Sequence, residues 1–242
     1  MIKIGISGFC GKMGQRIFAL AKADKELKVV LGLEAAGLAQ VGTTIDGVKV
    51  SADVGGLKSC DCFIDFTAPG ATITHLEFLV ASKKPAVIGT TGLDDEQCAL
   101  IARASRKIPI VFSPNMSVGV NLLFRLAKTA AGILKNYRVR IEEAHHVHKK
   151  DAPSGTAKKI AQIISEQGVT VRGEDIKAIR EGDIVGDHRI IFESGVDRFE
   201  LFHSAKTRDI FAQGALMAAK WVYKKKAGLY SMDDVLALKI KN

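Results

Sequence analysis

The chain has 242 residues, 47% hydrophobic and 25% charged, a composition that allows one large or two ordinary globular domains and excludes a low-complexity chain. Its net charge of +9, from 35 basic and 26 acidic residues, invites a nucleic-acid reading, but the basic residues are spread along the chain and only 6% are aromatic. Small anionic ligands account for the same balance, so no nucleic acid is expected as a partner.

Met1-Ile2-Lys3 runs straight into a strand pattern, and no apolar run reaches the ~20 residues needed to span a bilayer. No membrane association is expected, and the expected location is cytoplasmic. Cys10, Cys60, Cys62 and Cys98 show no Cys-x-x-Cys spacing and read as reduced, mostly buried thiols.

Ile2 to Ser7 is a short β-rich run, followed by Gly8-Phe9-Cys10-Gly11-Lys12-Met13-Gly14 and then by helical periodicity from Gln15 to Lys22. Strand, glycine loop and helix are the context a dinucleotide fingerprint requires. Gly8 would make the tight turn, Gly11 would let the backbone approach a pyrophosphate, and Gly14 would permit close helix–strand packing. The spacing is G-x-x-G-x-x-G rather than G-x-G-x-x-G, so a glycine turn without a ligand stays open as a rival. A second strand from Lys28 to Leu33 ends at Glu34, twenty residues past Gly14, where an acid would meet the ribose hydroxyls of an adenosine.

Val48 to Val50 reads as a short extra strand and Cys60 to Phe66 as the next clear one, with Thr67-Ala68-Pro69-Gly70 leading into a helix to about Ser82. Pro85 to Gly89 is a buried strand entering Thr90-Thr91-Gly92. A helix follows with Asp94 near its start and Glu96 in its first turn, then a strand from Ile108 to Phe112. This alternation predicts an α/β fold with a Rossmann-type, doubly wound parallel sheet. Ligands of such sheets sit at the carboxyl ends of the strands, so Phe66-Thr67 and Gly89-Thr90-Thr91 would line a nicotinamide, or serve only as turns.

Ser113-Pro114-Asn115-Met116-Ser117 breaks the alternation and marks a domain boundary. Residues 1–114, completed by a C-terminal segment 208–242, form the expected dinucleotide-binding domain. Residues 115–207 form an expected α+β domain for substrate binding and tetramerisation, with a largely antiparallel sheet. In it, Val120 to Leu134 reads as a long helix and Arg138 to Glu143 as an alternating strand. Val169 to Glu181 is polar and reads as a loop or lid. His188 to Glu193 and Arg198 to Ala205 alternate like antiparallel strands, with one face free for another subunit. Asp209 to Lys226 is an amphipathic helix carrying Trp221, and Met232 to Leu238 a short final one.

Chemistry concentrates in Glu142 to Ala157, EEAHHVHKKDAPSGTA, where His145, His146, His148, Lys149 and Lys150 fall within six residues. Asp151 and Pro153 halt the chain, and Ser154-Gly155-Thr156 opens a helical segment whose free N–H groups and positive dipole end suit an anion. Proton donors beside an anion cradle suggest a site that binds a carboxylate and protonates something near it. His-x-x-His spacing also suits a metal or a solvated loop, although Lys149 and Lys150 would repel a cation, and no metal is expected.

The most specific of these elements is Glu143-Ala144-His145-His146-x-x-Lys149-x-Asp151-x-Pro153-Ser154-Gly155-Thr156-Ala157. With it come Gly8-x-x-Gly11-x-Met13-Gly14, Phe66-Thr67, Gly89-Thr90-Thr91-Gly92, Ser113-Pro114-Asn115-Met116-Ser117, Arg180-x-Gly182-x-x-Val185-Gly186-x-His188 and His203-x-Ala205-x-x-Arg208. Over nearly its whole length the chain resembles the dihydrodipicolinate reductase (4-hydroxy-tetrahydrodipicolinate reductase) family of lysine and diaminopimelate biosynthesis. The resemblance implies hydride transfer from NADH or NADPH to a cyclic, unsaturated dicarboxylate, in a homotetramer joined through the substrate-domain sheets. It implies His145 as proton donor with Lys149 as its partner, and His146, Lys149, Ser154, Gly155 and Thr156 as the cradle for a substrate carboxylate. The implied cofactor set is Gly8, Gly11, Lys12, Met13, Gly14, Glu34, Phe66, Thr67, Gly89, Thr90, Thr91, Ser113, Asn115 and Met116. Members that favour NADPH often carry Arg after the ribose-binding acid, where this chain has Ala35. Two other classes fit less of the pattern: a homoserine-dehydrogenase-like oxidoreductase, and a non-catalytic dinucleotide sensor.

Overall fold

The computed structural model describes residues 1–238, so the end of the expected 208–242 segment lies outside the described residues. In chain order the elements are β1 (Ile2–Ser7), α1 (Lys12–Ala23), β2 (Leu27–Leu33), β3 (Thr44–Ile45), β4 (Val48–Ser51), β5 (Cys62–Asp65), α2 (Pro69–Ala81), β6 (Ala86–Ile88), α3 (Asp95–Ala104) and β7 (Pro109–Phe112). There follow α4 (Val118–Ile133), β8 (Arg138–His145), α5 (Gly155–Ser165), β9 (Ile176–Arg180), β10 (Gly186–Glu193), β11 (Arg198–Ala205), α6 (Asp209–Val222), β12 (Gly228–Tyr230) and α7 (Met232–Val235). The chain divides into two compact units, Met1–Val118 with the segment from Phe211 onward, and Gly119–Ile210.

The first unit holds a sheet ordered β12-β7-β6-β5-β1-β2-β4-β3, whose neighbours run parallel except for β3, antiparallel on β4 at one edge. Both faces are covered, which is why its strands read as continuous apolar runs. Along β5 the pleat sends Cys62 and Ile64 to the side of α1, α6 and α7, and Phe63 to the side of α2 and α3. The chain leaves β1 toward β2 on one side and returns through β5 to β7 on the other, so the strand order reverses between β1 and β5. Sheets of this class bind their ligands at such a reversal.

The second unit holds a sheet ordered β11-β10-β8-β9, antiparallel except for the β8–β9 pair. Alternation along β8 buries Val139 and Ile141 under α4 and α5, together with Ile190 and Phe192 of β10. The opposite face carries the ion pairs Arg140–Glu193 (2.9 Å) and Arg189–Glu200 (2.8 Å), and Arg189 also lies over the ring of the exposed Phe202.

The fold class is the expected one, with two corrections. Val169 to Glu181 is not simply a loop: residues 176–180 form β9, parallel to β8, with α5 as the crossover that parallel pairing demands. The helix expected over Asp209 to Lys226 ends at Val222, and β12, an edge strand on β7, precedes the short final helix, which spans Met232–Val235 rather than reaching Leu238.

Candidate active site

In the first unit, β1 ends in the glycine loop and α1 begins at Lys12. Gly8 has φ +69°, a left-handed conformation open to glycine. Gly14 lies so close to the loop that a Cβ there would stand 2.1 Å from the Gly8 carbonyl oxygen and 2.6 Å from that of Phe9, so the helix packs on the strand as the fingerprint requires. No side chain caps α1 and no acid occupies its first turn, leaving its N–H groups and dipole available to an anion. Beside this N-terminus lies a cavity of about 420 Å³ lined by Gly8, Cys10, Gly11, Lys12, Met13, Glu34, Leu38, Gln40 and Phe66. One Glu34 carboxylate oxygen accepts the Cys10 N–H at 2.5 Å, which ties the end of β2 to the loop.

At the neighbouring strand ends, the buried Asp65 carboxylate accepts from Thr67 (2.6 Å) and Thr90 (3.3 Å), and its other oxygen meets His75 Nδ1 at 2.8 Å. Thr90 Oγ1 also receives the Thr67 N–H (3.2 Å) and the Thr72 hydroxyl (2.8 Å). Phe66-Thr67 and Gly89-Thr90 are therefore fixed by one buried network, while Thr91 is exposed. Ser113 and Asn115 bond to each other across the Ser113–Ser117 turn, and the Met116 side chain is spent on the core.

In the second unit, the alternation that buries Val139 and Ile141 continues through Glu143 (1% exposed) and His145 (8% exposed), so both lie on the covered face of β8. Register places His188 of β10 opposite Glu143 and Arg180 of β9 opposite His145. The two Arg180 Nη groups grip the Glu143 carboxylate, at 2.8 Å to Oε1 and 3.1 Å to Oε2. Glu143 Oε1 also accepts the Ser154 N–H at 3.1 Å, and Oε2 hydrogen-bonds with His145 Nδ1. Ser154 caps α5 by accepting the Ala157 N–H at 3.2 Å, and Gly155 beyond it faces open space.

These contacts set the titration of the site. Burial pushes the His145 imidazole below its ordinary range, Glu143 opposes the shift, and Lys149 and Arg180 reinforce it. Burial alone would raise the Glu143 carboxyl, but hydrogen bonds from Arg180, His145 and Ser154 outweigh it and hold it low. Burial, with help from His145, pushes His188 down to about 4.

His145, Ser154 and the start of α5 are thus brought together. Lys149 Nζ pairs with Asp151 at 2.8 Å, and His146 keeps a buried Nδ1 without a partner among the described residues. Glu143, Arg180 and His188 join the site without having been expected to act there. The Glu-x-His spacing on an alternating strand was the available signal for Glu143, since two residues apart means one face. Arg180 and His188 are set by strand register, which spacing does not reveal.

Two family models match: "Dihydrodipicolinate reductase, N-terminus" over residues 2–116 and "Dihydrodipicolinate reductase, C-terminus" over residues 119–236. A 4-hydroxy-tetrahydrodipicolinate reductase of Thiobacillus denitrificans is 41% identical over 265 residues, spanning 98% of this chain and 99% of its own. That of Methanosarcina barkeri is 41% identical over 266 residues, spanning 98% and 100%. Among solved structures, a dipicolinate-bound dihydrodipicolinate reductase from Paenisporosarcina sp. TG-14 superposes with a TM-score of 0.83 at 26% identity, covering 97% of this chain and 99% of its own.

Proposed function

The chain belongs to the dihydrodipicolinate reductase family, and on that premise we propose that it reduces 4-hydroxy-tetrahydrodipicolinate to tetrahydrodipicolinate with NADH or NADPH, in lysine and diaminopimelate biosynthesis. The observation that carries the reading is the meeting of a buried imidazole, His145, with the capped start of α5 through one carboxylate, Glu143. The glycine loop, the uncapped α1 and Glu34 suit a dinucleotide, which when bound supplies the hydride. Gly8, Gly11, Lys12, Met13 and Gly14 would hold its phosphates, Glu34 its ribose, and the Phe66-Thr67, Gly89-Thr90-Thr91 and Ser113–Met116 turns its nicotinamide side.

Lys149, His146 and the Ser154-Gly155-Thr156 turn bind the substrate carboxylates, with Lys149 exchanging Asp151 for the substrate anion. The 4-hydroxyl departs as water, which leaves a conjugated double bond; hydride addition at one of its carbons leaves electron density on the conjugated neighbour, and His145 delivers the proton there from Nε2. The resting imidazole is held toward its neutral form, and a bound dianion favours the protonated acid. The chain works as a homotetramer in the cytoplasm, joined through the uncovered faces of its four-stranded sheets.

The test is oxidation of NADH and NADPH with enzymatically generated substrate, titrated with pyridine-2,6-dicarboxylate. Turnover with inhibition competitive against substrate is expected. A folded protein that binds NADH but oxidises neither cofactor would support the dinucleotide-sensor alternative.

A further inference from the structure

We propose that Glu143 is the positioning residue of this site: its carboxylate holds His145 by Nδ1, leaves Nε2 as the proton-carrying atom, and keeps the Ser154 cap in register with it. The inference rests on the reading of His145 as proton donor. Glu143 shares a row of the covered face with Val139, Ile141 and His145, and it is 1% exposed. The fold does not require a charge there, because a buried ion pair replaced by packed apolar groups is commonly neutral or stabilising.

Its geometry describes a junction. Arg180 takes one direction on each oxygen, at 2.8 and 3.1 Å, and each oxygen keeps one more contact: Oε1 with the Ser154 N–H at 3.1 Å, Oε2 with His145 Nδ1. Acid and anion cradle are thereby fixed to the two oxygens of one rigid carboxylate. With Nδ1 committed, only Nε2 can exchange a proton. That atom lies 3.1 Å from where a Cβ at residue 186 would stand, and Gly186 leaves that space free. In the transfer the Nε2–H bond breaks, its electron pair stays on Nε2, and the substrate carbon gains the C–H bond. Glu143 keeps its charge throughout, and solvent returns the proton afterwards.

The charged and titratable groups facing His145 are Glu143 on its own strand, Arg180 on β9, His188 on β10, and Lys149 in the following turn. Glu143 is the one anion among them, so removing its charge lowers the proton affinity of His145.

The test is histidine-selective ¹⁵N NMR of the full chain, with and without Glu143→Gln, beside the pH profile of turnover. In the wild type, neutral His145 should be the Nδ1–H tautomer. In Glu143→Gln its pKa should fall by about one unit or more, the alkaline limb of kcat, where the acid is lost, should move down with it, and kcat should drop by roughly 100-fold. Glu143→Asp, which keeps the charge, should restore much of the pKa but less of kcat. A folded Glu143→Gln protein with the tautomer and pKa of His145 unchanged would overturn the proposal, whereas a merely structural role would lower the melting temperature alone. If the variant does not fold, the wild-type spectrum decides: an Nε2–H tautomer in neutral His145 would overturn it. The tautomer and the pKa read by NMR do not depend on turnover, so they stay separate from any failure of His145 as the acid.

Discussion

At the scale of single residues, the proposed proton transfer depends on what stands close to His145 Nε2. Gly186 lies in ordinary strand conformation, so alanine meets no backbone penalty there, but its methyl would press on Nε2 at 3.1 Å. Gly186→Ala should lower kcat roughly tenfold with NADH affinity unchanged, because small misplacement of a reacting group is costly. A variant with wild-type kcat would mean that Nε2 does not face the reaction. In the first unit, Glu34 spends one oxygen on Cys10, Lys12 lines the same cavity, and the exposed Ala35 offers no cation for a 2′-phosphate. NADH should therefore be used at least as well as NADPH. Ala35→Arg should add a charge-assisted contact of about 1.5–3 kcal/mol, raising kcat/KM for NADPH roughly 10- to 100-fold. Lys12→Ala should weaken NADPH more than NADH. A hundredfold wild-type preference for NADPH that survives Lys12→Ala would count against both assignments. Residue identities at both sites were legible in the sequence because glycine, imidazole and ammonium groups were bunched locally. The roles of Arg180 and His188 were not, since Glu143 and Arg180 meet across 37 residues of chain.

At the scale of elements, β10 carries a pH-sensitive load. An unfolded chain takes up a proton on His188 below its ordinary value of 6.5, whereas the folded protein resists until about 4. Native stability therefore falls as pH drops through that window and levels off below it, by an amount approaching about 3 kcal/mol from this group. Urea midpoints at pH 7.5 and 4.5 should differ markedly in the wild type and by much less in His188→Asn. Equal losses in both proteins would relieve His188 of that role. The elements the sequence missed have a common physical reason. In β9, Ile176-Lys177-Ala178-Ile179-Arg180 alternates over only five residues, and its pairing comes from the α5 crossover rather than from a local turn. In β12, three residues gain strand character only from the edge of β7. Longer, two-sided apolar runs such as those of β1 and β5 needed no such context.

At the scale of the whole molecule, the covered face of the four-stranded sheet carries the candidate site, and the other face, with Arg189 stacked on Phe202 and the ion pairs of Arg140 and Arg189 to glutamates, is the one proposed to meet a second chain. Phe202→Glu should shift the protein from tetramer to smaller species by light scattering, at unchanged melting behaviour of the dinucleotide unit. A tetramer that persists would place the interface elsewhere. The net charge of +9 suits two anionic ligands, so the KM for substrate should rise with salt. The central claim is that His145 protonates the substrate as hydride arrives, and the most direct measurement is kcat for His145→Gln with enzymatically generated substrate and saturating NADH. A fall of roughly 100- to 10,000-fold, with the NADH dissociation constant unchanged, is the predicted result. A folded tetrameric variant that keeps most of the wild-type kcat would contradict it.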